Sequence, residues 1–168
     1  MATLTHEAAR TKLPAGTWRV DPVHSTIGFS APWGDGITIV DGRFTDFAGT
    51  LDLSEDGGRA FGTIKTASIV TQNEQRDAHL RSPDFFDVEN APEITFESTR
   101  LEPTDGGILV AGNLKIREAT FEVELPLALR GPSNDPYGNE RVALDGTSTI
   151  EWADDAITLI VKISAVRA

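Results

Sequence analysis

The chain reads as an all-β protein, and three features of the sequence say so. Apolar and polar residues alternate with period two along most of its 168 residues. Gly- and Asp-rich stretches separate the alternating runs, as hairpin turns do. No helical period is sustained outside one short window. About eight such runs joined by tight turns fit a sandwich or an up-and-down barrel.

Met1 to Pro14 carries no period and reads as a polar tail, with a helical turn at His6–Arg10; residues 15–168 form one domain. The run His24–Ala31 places Ile27, Phe29 and Ala31 on one face and Thr26, Gly28 and Ser30 on the other. A longer run, Ile37–Leu53, contains Gly42 and Gly49, which predict bends or bulges. Gly57-Gly58 then predicts a hairpin turn into Ala60–Thr66. Ile94–Pro103 and Ile108–Ile116 flank an Asp105-Gly106-Gly107 turn. In Thr120–Gly131 the residues Phe121, Val123, Leu125, Leu127 and Leu129 share one face. Pro132–Asn139 reads as a loop, and Asp154-Asp155 joins the last two runs, Arg141–Trp152 and Ala156–Val166.

The exception is TQNEQRDAHLRS, which predicts a short helical crossover near residues 72–82. Thr71 and Glu74 have capping-box spacing, followed by Ala78 and Leu80. Arg76 and Asp77 are expected to pair with each other or with strand-end groups, locking the crossover onto the sheet. His79 and Leu80 would then sit at a barrel mouth. In an extended segment Phe85 and Phe86 would point oppositely, one inward and one over the outer surface.

Composition excludes several function classes. A net charge of −11 and a pI near 4.6 disfavour nucleic acid and basic-face docking on anionic membranes. The absence of Cys removes disulfides, thiolate catalysis and Cys-ligated metals. No run of about 18 apolar residues predicts a membrane span, and the N-terminus shows no apolar leader, so a cytoplasmic location is expected. Phosphate-loop, dinucleotide and nucleophile-elbow motifs are missing, and no cofactor is expected. His24 lies beside Ser25 and three residues after Asp21, but neighbouring strand side chains face opposite ways, so a Ser/His/Asp triad is not expected. A metal shared by His24 and His79 would need further ligands from the fold.

The ordered blocks W-x-V-D-P-x-H-S (Trp18–Ser25), G-R-F-x-x-F-x-G (Gly42–Gly49) and A-S-I-x-T-x-N-x-x-R-D-x-H-L-R-S-x-D-F-F-D-V (Ala67–Val88) resemble the YceI family. P-x-I-T-F-x-S-T (Pro92–Thr99) and G-N-L-x-I (Gly112–Ile116) extend the resemblance. It implies an extended eight-stranded antiparallel lipocalin-like barrel around an apolar tunnel. It also implies an isoprenoid, quinone-tail or fatty-chain ligand, with homodimers occurring in the family and many members exported. The family carries no general catalytic set. Departures stand at Ala31-Pro32-Trp33, at Glu118 and in the C-terminal IEWADDAI, and they bear on the tunnel's shape.

On that reading the tunnel wall comprises Phe29, Ile39, Phe44, Phe47, Ile94, Phe96, Leu114, Ile116, Phe121, Val123, Leu125 and Leu127. Trp33, Arg76, His79 and Phe85 complete the ligand-binding set, with a head group near Arg76, His79 or Asn73. An apolar tail gains roughly 25 cal/mol per Å² on leaving water. No stable membrane insertion is expected. Two alternatives remain open at this stage. One is an enzyme cyclising or isomerising a hydrophobic intermediate, with His24, His79, Asp77 or Glu118 as acids and bases. The other is a barrel filled by its own side chains.

Overall fold

A computed structural model describes residues 13–54, 57–152 and 154–168. The expected helical turn at His6–Arg10, and the tail up to residue 12, lie outside the described residues. The strands are β1 (Gly16–Val20), β2 (Thr26–Trp33), β3 (Thr38–Phe44), β4 (Phe47–Ser54), β5 (Gly57–Lys65) and β6 (Ile69–Val70). A helix, α1 (Glu74–Arg81), precedes β7 (Glu93–Thr104), β8 (Gly107–Ile116), β9 (Ala119–Asn134), β10 (Glu140–Trp152) and β11 (Asp155–Arg167).

Eight strands close a ring in the order β1-β4-β5-β7-β8-β9-β10-β11, with β11 returning to β1 through Trp18↔Arg167 and Val20↔Ala165. All the pairings are antiparallel. The remaining strands, β2, β3 and β6, extend the sheet from the other half of β11, where Ser30 pairs Thr158. β1 and β2 thus behave as one strand broken at residues 21–25, and β3 and β4 as one strand bent at Thr45–Asp46. Counted that way, the expected eight-stranded barrel is the one observed.

Local chemistry explains the first break. Pro22 withholds a backbone donor, and the Asp21 carboxylate caps the 3-10 turn Pro22–His24 by accepting from the Val23 N–H at 3.0 Å. Gly42 is not a bulge but sits in regular register opposite Phe29. A Cβ there would lie 2.4 Å from the Phe29 ring, so glycine is needed to let that ring lie across β3. Gly49 pairs Gly62 without a bulge. Gly57 and Gly58 are strand residues of β5, paired with Ser54 and Leu53, and not the turn expected there. β9 continues through Pro132–Asn134, which shortens the expected loop to residues 135–139.

Side chains inside the barrel form two apolar clusters. Trp18, Leu51, Val110, Leu127, Val142 and Leu144 gather near the chain termini. Phe44, Ile69, Phe86, Ile94, Leu114 and Ile150 gather near α1. Trp18 is fully buried; its indole N–H donates to the Pro14 carbonyl at 3.0 Å, and the Arg167 guanidinium lies 5.8 Å from its ring centre. It anchors the cluster there, packed with Leu51, Val142 and Leu144.

Candidate ligand cavity and its mouth

The crossover between β5 and β7 is built by hydrogen bonds. Thr66, 1% exposed, holds its two ends together: its N–H donates to Pro92 O (3.0 Å) and its hydroxyl to Ala91 O (2.8 Å). The N-cap of α1 is Asn73, whose side chain accepts from the Arg76 N–H at 2.9 Å; the expected Thr71–Glu74 capping box does not form. Thr71 is used differently. Buried Asp77 accepts from both its N–H and its hydroxyl, while Arg76 donates to the same hydroxyl (2.7 Å) and to Thr71 O (2.6 Å). Arg81 adds bonds to Ala67 O and Ile69 O. Arg76 and Asp77 therefore fasten α1 to the end of β6, the second of the two expected arrangements.

Past α1 the chain turns instead of extending. The Phe85 N–H donates to Ser82 O and the Phe86 N–H to Leu80 O. Both rings therefore border the interior, against the expectation that one would cover the outer surface. Phe86 packs edge-on to Phe44 (5.9 Å) and tilted on Trp152 (4.9 Å). Phe85 meets His79 edge-on at 4.9 Å. From the β8–β9 hairpin, Arg117 donates to Pro83 O and Phe85 O and lies 3.7 Å from the Asp87 carboxylate. The turn is held from both sides.

Beneath this cap lies a cavity of about 530 Å³ that touches both apolar clusters. Its size is typical of small-molecule sites, about 300–1,000 Å³. Inward residues Phe29, Phe96, Leu125 and Val161 keep accessible surface, because they border space instead of one another. Among the described residues on its wall, only Thr50, Thr63, Arg76, His79 and Asp155 carry polar side chains other than indoles. Arg76 and His79 lie on one face of α1, with Leu80 beside them. His79 is 3.4 Å from Asp84, both well exposed, and Arg76 makes no ion pair among the described residues.

The residues expected at the ligand site are placed as follows. Phe29, Trp33, Phe44, Phe47, Arg76, His79, Phe85, Ile94, Phe96, Leu114, Ile116, Val123, Leu125 and Leu127 all border the cavity. Two do not. Ile39 is 58% exposed and flanks an outer groove. Phe121 faces inward but is taken up by packing on the cluster near α1. Sequence reading missed Trp18, Ile27, Phe61, Leu144, Trp152 and the β11 residues Ile157, Leu159, Val161 and Ile163, while Leu80, expected at the mouth, does border the cavity. The β11 set was legible as a period-two run; only barrel closure reveals that it borders the space.

The acid and base candidates are not assembled. Asp77 is buried against Thr71, and Glu118 is exposed on the β8–β9 turn. His24 bonds Asp21 at 2.8 Å, while the Ser25 hydroxyl donates to Ser164 O, so no triad forms. Asp21 also accepts from Arg141 at 2.8 Å, and that hydrogen bond, with the one to His24, holds its pKa at about 2. Arg141 reaches Asp135 as well, whose pKa is lowered chiefly by the Asn139 N–H; the two carboxylates raise that of Arg141. This cluster pins the 3-10 turn to β10 and β11. Among the described residues no group of His, Asp or Glu is arranged to hold a metal ion.

Comparison with known proteins agrees with this architecture. A UPF0312 protein of Pseudomonas paraeruginosa is 36% identical over 121 residues, 70% of this chain and 63% of the relative. The aligned region thus spans less than two thirds of that relative's length. Burkholderia cenocepacia BcnA superposes with a TM-score of 0.73 at 20% identity, over 89% of this chain and 99% of that one. A polyisoprenoid binding domain from Saccharophagus degradans, implicated in plant cell wall breakdown, gives 0.71 at 14% identity, over 90% and 98%. At such identities the two structures speak for the fold. The YceI-like domain matches residues 18–165, nearly the whole barrel, and the chain belongs to that family.

Proposed function

We propose that the protein binds a long apolar amphiphile of the isoprenoid, quinone-tail or fatty-chain class, tail inward and head at the mouth. The observation that carries this reading is the 530 Å³ cavity, whose wall is apolar except at a few positions. A tail placed there leaves water without displacing protein packing, at roughly 25 cal/mol per Å² of apolar surface. Arg76 and His79 supply donors for a head-group oxygen, and among the described residues no carboxylate pairs with the Arg76 guanidinium, which donates to Thr71. The name of the Saccharophagus domain, a polyisoprenoid binder of the same fold, supports the ligand class. Binding is passive and needs no cofactor. A cytoplasmic location and a homodimeric state belong to the same proposal, and are tested by cell fractionation and analytical ultracentrifugation.

The decisive experiment pairs native mass spectrometry of protein purified without detergent with titration of the delipidated protein by geranylgeraniol. A co-purifying adduct of a few hundred daltons, or saturable binding one-to-one, is expected. No adduct together with no binding of geranylgeraniol or oleate removes the proposal.

A further inference from the structure

The β2–β3 hairpin exposes surface that a cavity alone does not explain. Its Gly34-Asp35-Gly36 turn is flanked by Trp33, Ile37 and Ile39, which are 62%, 86% and 58% exposed. Three large apolar side chains on one hairpin are unfavourable in water, and such clusters mark contact surfaces. Their position is specific. Trp33 borders the cavity, and Trp33, Val40 and Arg76 are shared between the cavity and a groove of about 440 Å³ beside β3 and the start of α1. Trp33 borders both spaces and Ile39 borders the groove, so the exposed hairpin meets the cavity wall at Trp33.

We propose that this hairpin seats the mouth on a lipid bilayer, with Trp33, Ile37 and Ile39 entering the interfacial layer. An apolar tail then passes between bilayer and cavity without crossing water. The inference rests on reading the cavity as an amphiphile site. Area favours lipid over a second copy of the chain: three side chains offer on the order of a few hundred Å², below the roughly 800 Å² per partner of a stable dimer. Residue type agrees, since Trp settles at membrane interfaces where its ring is apolar and its N–H stays wet. Charge selects the bilayer. With a net charge of −11, and Asp35 at the hairpin tip, Asp41 in the groove and Asp155 on the cavity wall outnumbering Arg76, the mouth is disfavoured by anionic lipid and suited to a zwitterionic surface.

The test is co-flotation with phosphatidylcholine vesicles, run beside titration of the delipidated protein with geranylgeraniol delivered from cyclodextrin. The unsubstituted protein is expected to float. Ile37→Ser with Ile39→Ser, both off the cavity wall, should cut vesicle binding at least tenfold and slow geranylgeraniol uptake from vesicles, with affinity from cyclodextrin unchanged. Phosphatidylcholine brominated near the head group should quench Trp33 fluorescence, identified by its loss in Trp33→Phe. Absence of flotation, flotation that survives the double substitution, or stronger binding to anionic vesicles overturns the inference. So does a dimer that the double substitution abolishes in the absence of vesicle binding. Flotation that the double substitution removes, with no uptake of geranylgeraniol from cyclodextrin, supports docking and instead defeats the cavity reading.

Discussion

The Asp77 carboxylate accepts from both the backbone N–H and the hydroxyl of Thr71, and both residues are buried. One side chain on α1 thereby satisfies two donors at the end of β6, and Arg76 completes the group from the next position. Asp77→Ala leaves those donors unpaired in a buried site, at a cost of about 2–3 kcal/mol. Urea unfolding should show that loss, and Asp77→Asn, which keeps one acceptor, should lose less. Equal stability of Asp77→Ala and the parent would mean that the contact does not fasten α1.

Val161 borders the cavity on β11, so a larger side chain there has space to enter. Val161→Phe should weaken geranylgeraniol binding about tenfold, or 1.4 kcal/mol, with little change in the thermal midpoint. In a filled barrel the same change would overpack the core and cost about 1–3 kcal/mol of stability. Calorimetry and titration on one sample tell the two cases apart.

Arg117 is the only side chain of the β8–β9 hairpin hydrogen-bonded to the Pro83–Asp87 turn among the described contacts. Arg117→Ala should leave overall stability within about 1 kcal/mol, because the guanidinium is partly exposed. Hydrogen exchange at the amides of residues 84–88 should nevertheless quicken, and the bound tail should dissociate faster. Unchanged exchange there would show that the turn holds itself.

The folded pKa of Asp21, about 2, lies below its ordinary value of 3.8, because Arg141 and His24 bond its carboxylate. Its contribution to stability is therefore complete above the ordinary value and disappears as the pH falls through about 2. Acid titration of stability should show that loss, and Asp21→Asn should flatten it while costing roughly 1–2 kcal/mol at neutral pH. An unaltered acid limb in Asp21→Asn would assign the sensitivity to other carboxylates.

Much of this was legible beforehand, for physical reasons. In β9 Phe121, Val123, Leu125, Leu127 and Leu129 alternate with Thr120, Glu122, Glu124, Pro126, Ala128 and Arg130, and the strand exposes the second set while turning the first inward. The Asp105-Gly106 turn was equally readable, since Gly106 adopts φ +82°. What pairwise alternation does not encode is closure. Val161 and Ile163 look like any strand residues until β11 meets both β1 and β2. Thr71 illustrates a second limit: its spacing to Glu74 satisfied a capping rule, yet a buried carboxylate six residues on claimed the hydroxyl. Ile39 failed for a third reason. In β3 the inward phase belongs to Val40, Gly42 and Phe44, with Gly42 opposite Phe29, so Ile39, one residue out of step, takes the opposite face.

Trp18 belongs to the layer of the container gathered away from α1, with Leu51, Val110, Leu127 and Leu144. A guest entering from the α1 side would be measured from that layer outward. Short chains would leave slack near the opening, while chains beyond the available depth would push their polar terminus past Arg76 into solvent. The indole is in effect the zero of a ruler.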